Sequence, residues 1–178
     1  MTRNDALELL ESRKPEPHML LHALQTEAVL RAMALRLEQD AELWGITGLL
    51  HDLDFPTTKD APERHGLDAA AQLDGRLDPA AVAAIAAHNA EMNGRQPAAT
   101  LDYALRCGET VTGIVHAAAL MRPTGYDGLE PKSVKKKMKD KAFARNVRRE
   151  IILECDKAGL PLDDFLALAI DAMRSVQA

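Results

Sequence analysis

The chain has 178 residues, a formal net charge of −5 and a sequence pI of about 5.7, a length that builds one domain with a real core rather than two. Hydrophobic residues make up 47% and aromatics 3%, a composition that packs an interior instead of staying disordered. The abundance of Ala and Leu over strand formers predicts an all-α fold, and the acidic balance excludes a protein built to coat duplex nucleic acid.

Thr2 or Asn4 caps a first helix to about Ser12, and Pro15 and Pro17 break the chain after it. From His18 to Leu37 an apolar stripe (Leu20, Leu21, Leu24, Ala28, Met33, Leu35) predicts a long second helix. Asp40 caps a third, which runs to about Asp52. Pro56, Pro62 and Gly66 mark a loop, followed by a short helix over 68–73. Asp78-Pro79 pairs a cap with a proline at the first helical position, opening an alanine-rich helix that ends near His88. A loop over 93–97 precedes a long helix from Thr100 or Asp102 to Leu120, which Pro123 and Gly125 end. Ser133 is placed as the cap of a lysine-rich turn (Lys135, Lys136, Lys137). A helix from about Asp140 to Lys157 follows, and a last one after Pro161 buries Phe165, Leu168, Ile170 and Met173.

No apolar run approaches the roughly 20 residues of a membrane span, and acids (Asp5, Glu8, Glu11) stand where a secretory leader would be apolar. Cys107 and Cys155 lack CxxC spacing and read as reduced thiols of a cytoplasmic protein. The expected partner is a small molecule, with no membrane and no duplex nucleic acid; exposed Ala/Leu-rich helices would support a homodimer.

Four of the six histidines fall near helices and near other ligand types. His22 lies within the second helix, His51 and Asp52 close the third, His65 follows in a loop, and His88 ends a later helix. Glu109 lies in the long helix after it. Imidazole with carboxylate is the donor mixture that mid-series divalent ions such as Mn²⁺, Fe²⁺, Ni²⁺ or Zn²⁺ favour. A carboxylate has two oxygens, so one Asp beside a His is a natural pivot between two ions.

The stretches HALQTEAVLRAMA, GLLHDLD, ERHG, AIAAHN and GETVTGIVHAAALMRP, in that order, resemble the HD superfamily of metal-dependent phosphohydrolases, in particular its small predicted-hydrolase branch. The tail SVKKKMKDKAFARNVRREI resembles that branch's C-terminal part. The resemblance implies a helical bundle with its metal-site core over about 18–122 and a short C-terminal helical extension over about 132–178. It implies that His22, His51, Asp52 and Glu109 hold a first divalent ion (Mn, Fe, Ni, Zn or Mg). Asp52, His65 and His88 would hold a second where the family has two. The family usually has Asp where this chain has Glu109. Two-metal members often carry a His pair where this chain has His88-Asn89, so the second ion would lose a nitrogen ligand.

The implied reaction is hydrolysis of a small phosphate ester, a nucleotide among the candidates. Asp52 and Asp54 would be catalytic, Asp54 orienting the water or accepting its proton. His116, seven residues after Glu109, and the cations Lys135 and Lys136 would meet the substrate. Two other readings share the ligand set: a di-iron oxygenase of the same superfamily, and a non-catalytic module that binds metal or nucleotide.

Overall fold

The computed structural model describes residues 1–176, and most helix boundaries in it follow from a cap or a breaker. α1 (Arg3–Ser12) opens with a capping box: the Asp5 N–H donates to the Thr2 hydroxyl, and the Thr2 N–H donates to the Asp5 carboxylate. α2 (Pro17–Arg36) and α6 (Pro79–Ala87) each begin with proline, which has no N–H to waste there. α3 (Ala41–Leu50) starts at Asp40, whose carboxylate accepts from Glu42 and Leu43 N–H; such a cap is worth about 1 kcal/mol. Short α4 (Phe55–Thr58), α5 (Leu67–Leu73) and α7 (Ala90–Asn93) fill the connections around them, and α8 (Thr100–Leu120) is the longest helix. α9 (Pro131–Lys139), α10 (Arg149–Ile152), a 3-10 turn (Leu153–Asp156) and α11 (Leu162–Arg174) complete an all-α bundle with no strand among the described residues. None of these helices is long and apolar enough to cross a membrane.

α2 lies at the centre, packed against α3, α8 and α11. One apolar core runs from Ala6 to Met173 through Val29, Leu30, Leu49, Leu105, Ile114 and Phe165. Fully burying a Leu, Val, Ile or Phe contributes about 1.5–3 kcal/mol, so this shared core holds the C-terminal helices against the rest. Cys107 and Cys155 are buried in it as free thiols; burial pushes both thiols up, Cys155 to about 11.

Two local expectations fail. α9 starts at Pro131 after Glu130, not at Ser133, because proline at the first helical position is the stronger signal. The helix expected over 140–157 is mostly absent. Residues 141–146 form turns, and only α10 and the 3-10 turn are helical. The Arg149 guanidinium accounts for the difference: it donates to the carbonyls of Asp140, Phe143, Ala144 and Val147. Those acceptors are thereby bound within a folded loop instead of along a helix axis.

Candidate metal centre

Four histidines and one aspartate converge where the C-terminal ends of α3 and α6 approach α2. His51 and His88 each stand just past the last turn of their helix, where backbone carbonyls have no helical N–H partner. Each ring folds back onto one. His51 Nδ1–H donates to the Gly48 carbonyl at 2.8 Å, and His88 Nδ1–H donates to the Ile85 carbonyl at 2.7 Å. His65 Nδ1–H donates to Asp54 Oδ1 at 2.8 Å. His22 Nδ1 lies 2.9 Å from Thr112 Oγ1, whose own proton goes to the Glu109 carbonyl at 2.6 Å. That oxygen is therefore left to accept. All four rings are committed at Nδ1 and aim Nε2 at the centre.

The inward nitrogens come in pairs. His22 and His51 bring their Nε2 atoms to 3.2 Å, and His65 and His88 to 3.1 Å. Asp52 sits between the pairs. Its Oδ1 is 3.1 Å from His65 Nε2, 3.3 Å from His51 Nε2 and 3.5 Å from His88 Nε2, while its Oδ2 is 3.6 Å from His22 Nε2. Two clusters result, His22–His51–Asp52 and Asp52–His65–His88, in each of which one donor atom per residue lies within 4.8 Å of the others. Both can coordinate a divalent metal ion, and Asp52 belongs to both. The donor set fits a cation on its chemistry. Imidazole nitrogens facing each other at such distances need a positive charge between them, a proton or an ion, and imidazole with carboxylate suits a mid-series ion. The negative ends of the α3 and α6 dipoles point the same way.

The charges of the protein groups differ between the two clusters when no ion is bound. Burial pulls His51 down to about 3, which leaves it a neutral ligand at pH 7. Burial also pulls on His65, but its hydrogen bonds to Asp52 and Asp54 outweigh that and push it up to about 10. Burial works to raise Asp52, yet His51, His65, His88 and His22 around it hold its carboxyl well below the usual carboxylate range. Glu109 is pushed up, first by burial.

Asp54 is placed differently from the sequence expectation. It is buried, at 1% exposure, with both oxygens occupied. Besides holding His65, it accepts the backbone N–H groups of Gly66 at 2.8 Å and Ala69 at 2.9 Å. It cannot also orient a water in the open site; it fixes the loop that carries His65. Gly66 has a reason to be glycine: its φ is +82°, and a Cβ there would come within 2.8 Å of the Ile85 carbonyl oxygen and 3.0 Å of the His88 ring. Asn89, where a further imidazole was missed, donates its amide to the Pro62 carbonyl at 2.8 Å and ties down the same loop. The second cluster is assembled without it.

Glu109 faces the site from α8 but lies in neither cluster; its carboxylate accepts from the Thr110 hydroxyl. His116 is not brought to the site. Seven residues carry it about 10 Å further along the α8 axis, where its Nδ1 lies 2.9 Å from the Tyr126 hydroxyl and it lines a separate hollow with Gln25 and Pro123. Lys135 and Lys136 do not reach the site either. α9 turns Val134 into the core, which sends Lys135 to Asp163 at 2.8 Å and leaves Lys136 exposed.

A cavity of about 300 Å³ opens over the ligands. His22, Asp52, His65 and His88 form its floor, and Glu109, Thr110 and Gly113 of α8 form one side. The other side is the folded loop and α10: Asn146, Val147, Arg148 and Ile151. Sequence reasoning missed this wall, because a helix over 140–157 hides it. It also missed Arg106, which is buried at 2% exposure. Arg106 donates to the His88 carbonyl at 3.0 Å and pairs with Glu91 and with Glu154, the latter at 2.7 Å. It therefore clamps the end of α6 beneath a metal ligand to the C-terminal segment. A buried arginine needs carboxylate partners, and Glu91 and Glu154 meet that need here.

The HD domain family model matches residues 19–145 of the chain. No curated protein and no solved structure gives a significant match.

Proposed function

Because the chain belongs to the HD-domain family and carries two His/Asp clusters able to bind divalent metal, consistent with a metal-dependent hydrolase, we propose that it hydrolyses small phosphate monoesters with two ions held by those clusters. The observation that carries this reading is Asp52, a single carboxylate shared by two imidazole pairs. His22, His51 and Asp52 would hold one ion, and Asp52, His65 and His88 would hold the other. When bound, the ions supply Lewis acidity at the phosphoryl oxygen and bring the pKa of a water near neutrality.

The protein's own groups do the rest. Thr112, Gly48, Asp54 and the Ile85 carbonyl lock the four rings, so no ligand has to reorganise as charge develops. Glu109 offers a carboxylate on the α8 side of the cavity, and its raised pKa suits it to holding a proton between water and leaving group. The cavity walls confine the ester over the floor. In the overall reaction a water oxygen bonds to phosphorus, the ester P–O bond breaks, and the alcohol leaves with one of the water's protons.

The test is release of inorganic phosphate from an ester panel by Mn²⁺-, Fe²⁺-, Ni²⁺- or Zn²⁺-loaded protein, beside His51→Ala. The reading predicts metal-dependent release that the variant loses; release that His51→Ala retains in full contradicts it. A second reading has one observation in its favour. The Asp52–His65–His88 cluster is assembled despite Asn89, and a two-iron site for oxygen chemistry needs both clusters. Oxygen uptake by iron-loaded protein without phosphate release would select it.

A further inference from the structure

The family match ends at residue 145, and the cavity wall begins at Asn146. The floor therefore belongs to the part of the chain shared with the family, and the surface facing a substrate's organic portion lies just beyond it. This wall is built into place. Arg149 gathers four carbonyls of the loop. Glu154 anchors the far end to buried Arg106. Val147 lies against α8 at Gly113, where a Cβ would come within 2.9 Å of Val147 Cγ2, so glycine there allows the wall to approach closely.

Three properties of the wall bear on what it recognises. Its polar groups are of mixed kind: Asn146 brings an amide and Arg148 a guanidinium to the cavity lining, with Glu91 of α7 beside them and Thr110 of α8 opposite. Arg148 pairs with Glu150 at 3.1 Å and lies 3.6 Å from Glu91, which Arg106 holds from the other side, so cations and carboxylates are interspersed there and neither sign dominates. No Phe, Tyr or Trp lines the cavity, so a nucleobase would find no aromatic stacking platform there. Its volume of about 300 Å³ stands at the small end for ligand pockets.

Taking the phosphohydrolase reading as its premise, we propose that residues 146–151 select a polyhydroxylated leaving group, so that the substrate is a sugar or polyol phosphate rather than a nucleotide. Hydroxyls suit such a wall, accepting from the Arg148 guanidinium and the Asn146 amide nitrogen while donating to the Asn146 amide oxygen. A nucleobase would find no aromatic face to stack on in a cavity of this size.

The experiment compares kcat/KM of metal-loaded protein for a pentose 5-phosphate, a nucleoside 5′-monophosphate with the same sugar, and phenyl phosphate, which reports the floor alone. The wild-type order expected is pentose phosphate first. Asn146→Ala and Arg148→Ala are each expected to lower kcat/KM for the pentose phosphate about ten-fold more than for phenyl phosphate, chiefly through KM. Turnover of the nucleotide at or above the pentose phosphate, or equal losses on both esters in the variants, overturns the inference and leaves the phosphohydrolase reading standing. Inertness towards all three esters, phenyl phosphate included, overturns both.

Discussion

The floor and the wall of this cavity are built by opposite means. The floor rests on regular structure: His51 and His88 stand at helix ends and fold back on a carbonyl three residues before them, His22 is carried by α2 and meets Thr112 of α8, and only His65 comes from a loop, where Asp54 holds it. The wall has almost no regular structure, and one arginine holds its loop while another anchors its far end. Caps and apolar periodicity announce the helices of the floor and the family resemblance implies its ligands, whereas the wall is a loop shaped by side-chain hydrogen bonds that helix rules do not foresee. The variants most informative about this contrast are those that disturb the joint between the two regions, the floor alone, or the charge within it.

The joint is Arg106, and the largest effect is expected there. Arg106→Gln leaves Glu91 and Glu154 without their buried partner, and breaking such a pair costs about 3–5 kcal/mol. Thermal or urea unfolding of the purified variant measures this, and a loss below 1 kcal/mol would show the clamp to be dispensable. The floor alone is tested by Asp54→Asn, which keeps the shape but takes away the charge behind His65. Affinity for the second ion is expected to fall about 10- to 100-fold while the first is retained, as read by metal titration.

The smallest effect is a proton. Chelated protein holds His65 charged up to about pH 10, so an ion entering the second cluster must displace about one proton near pH 8. Metal affinity then falls as pH falls, and calorimetry in buffers of different ionisation enthalpy detects the released proton. The same raised pKa has the opposite sense for the chelated fold. The stability it gives is fully present below the unfolded value near 6.5 and is lost as pH rises through about 10.

What the sequence made legible divides along the same line. The helices that carry or end at His22, His51 and His88 are announced by apolar periodicity, by Asp40 and by Asp78-Pro79, while the grouping of these residues with Asp52 and the loop residue His65 is implied by the family resemblance. Asp54 could be seen as a carboxylate near the site, but its burial under the Gly66 and Ala69 N–H groups is a property of the folded loop. Lys135 and Lys136 looked like phosphate contacts because charge is visible in a sequence and direction is not; Val134 decides their direction. The loop over 140–148 was hidden by its own composition. Ala, Lys and Arg are strong helix formers, and the Arg149 side chain, which draws the loop's carbonyls together, and the close approach of Val147 to Gly113 override them.

The central claim is that Asp52 joins two metal sites, and metal content measures it most directly. Wild-type protein and Asp52→Ala would be purified untagged, loaded and analysed by elemental analysis, with circular dichroism to establish that the variant folds. Two ions per chain in the wild type and neither retained by a folded Asp52→Ala variant is the result expected from a shared carboxylate. A folded variant that keeps both ions, or a wild type that takes up none, would contradict it.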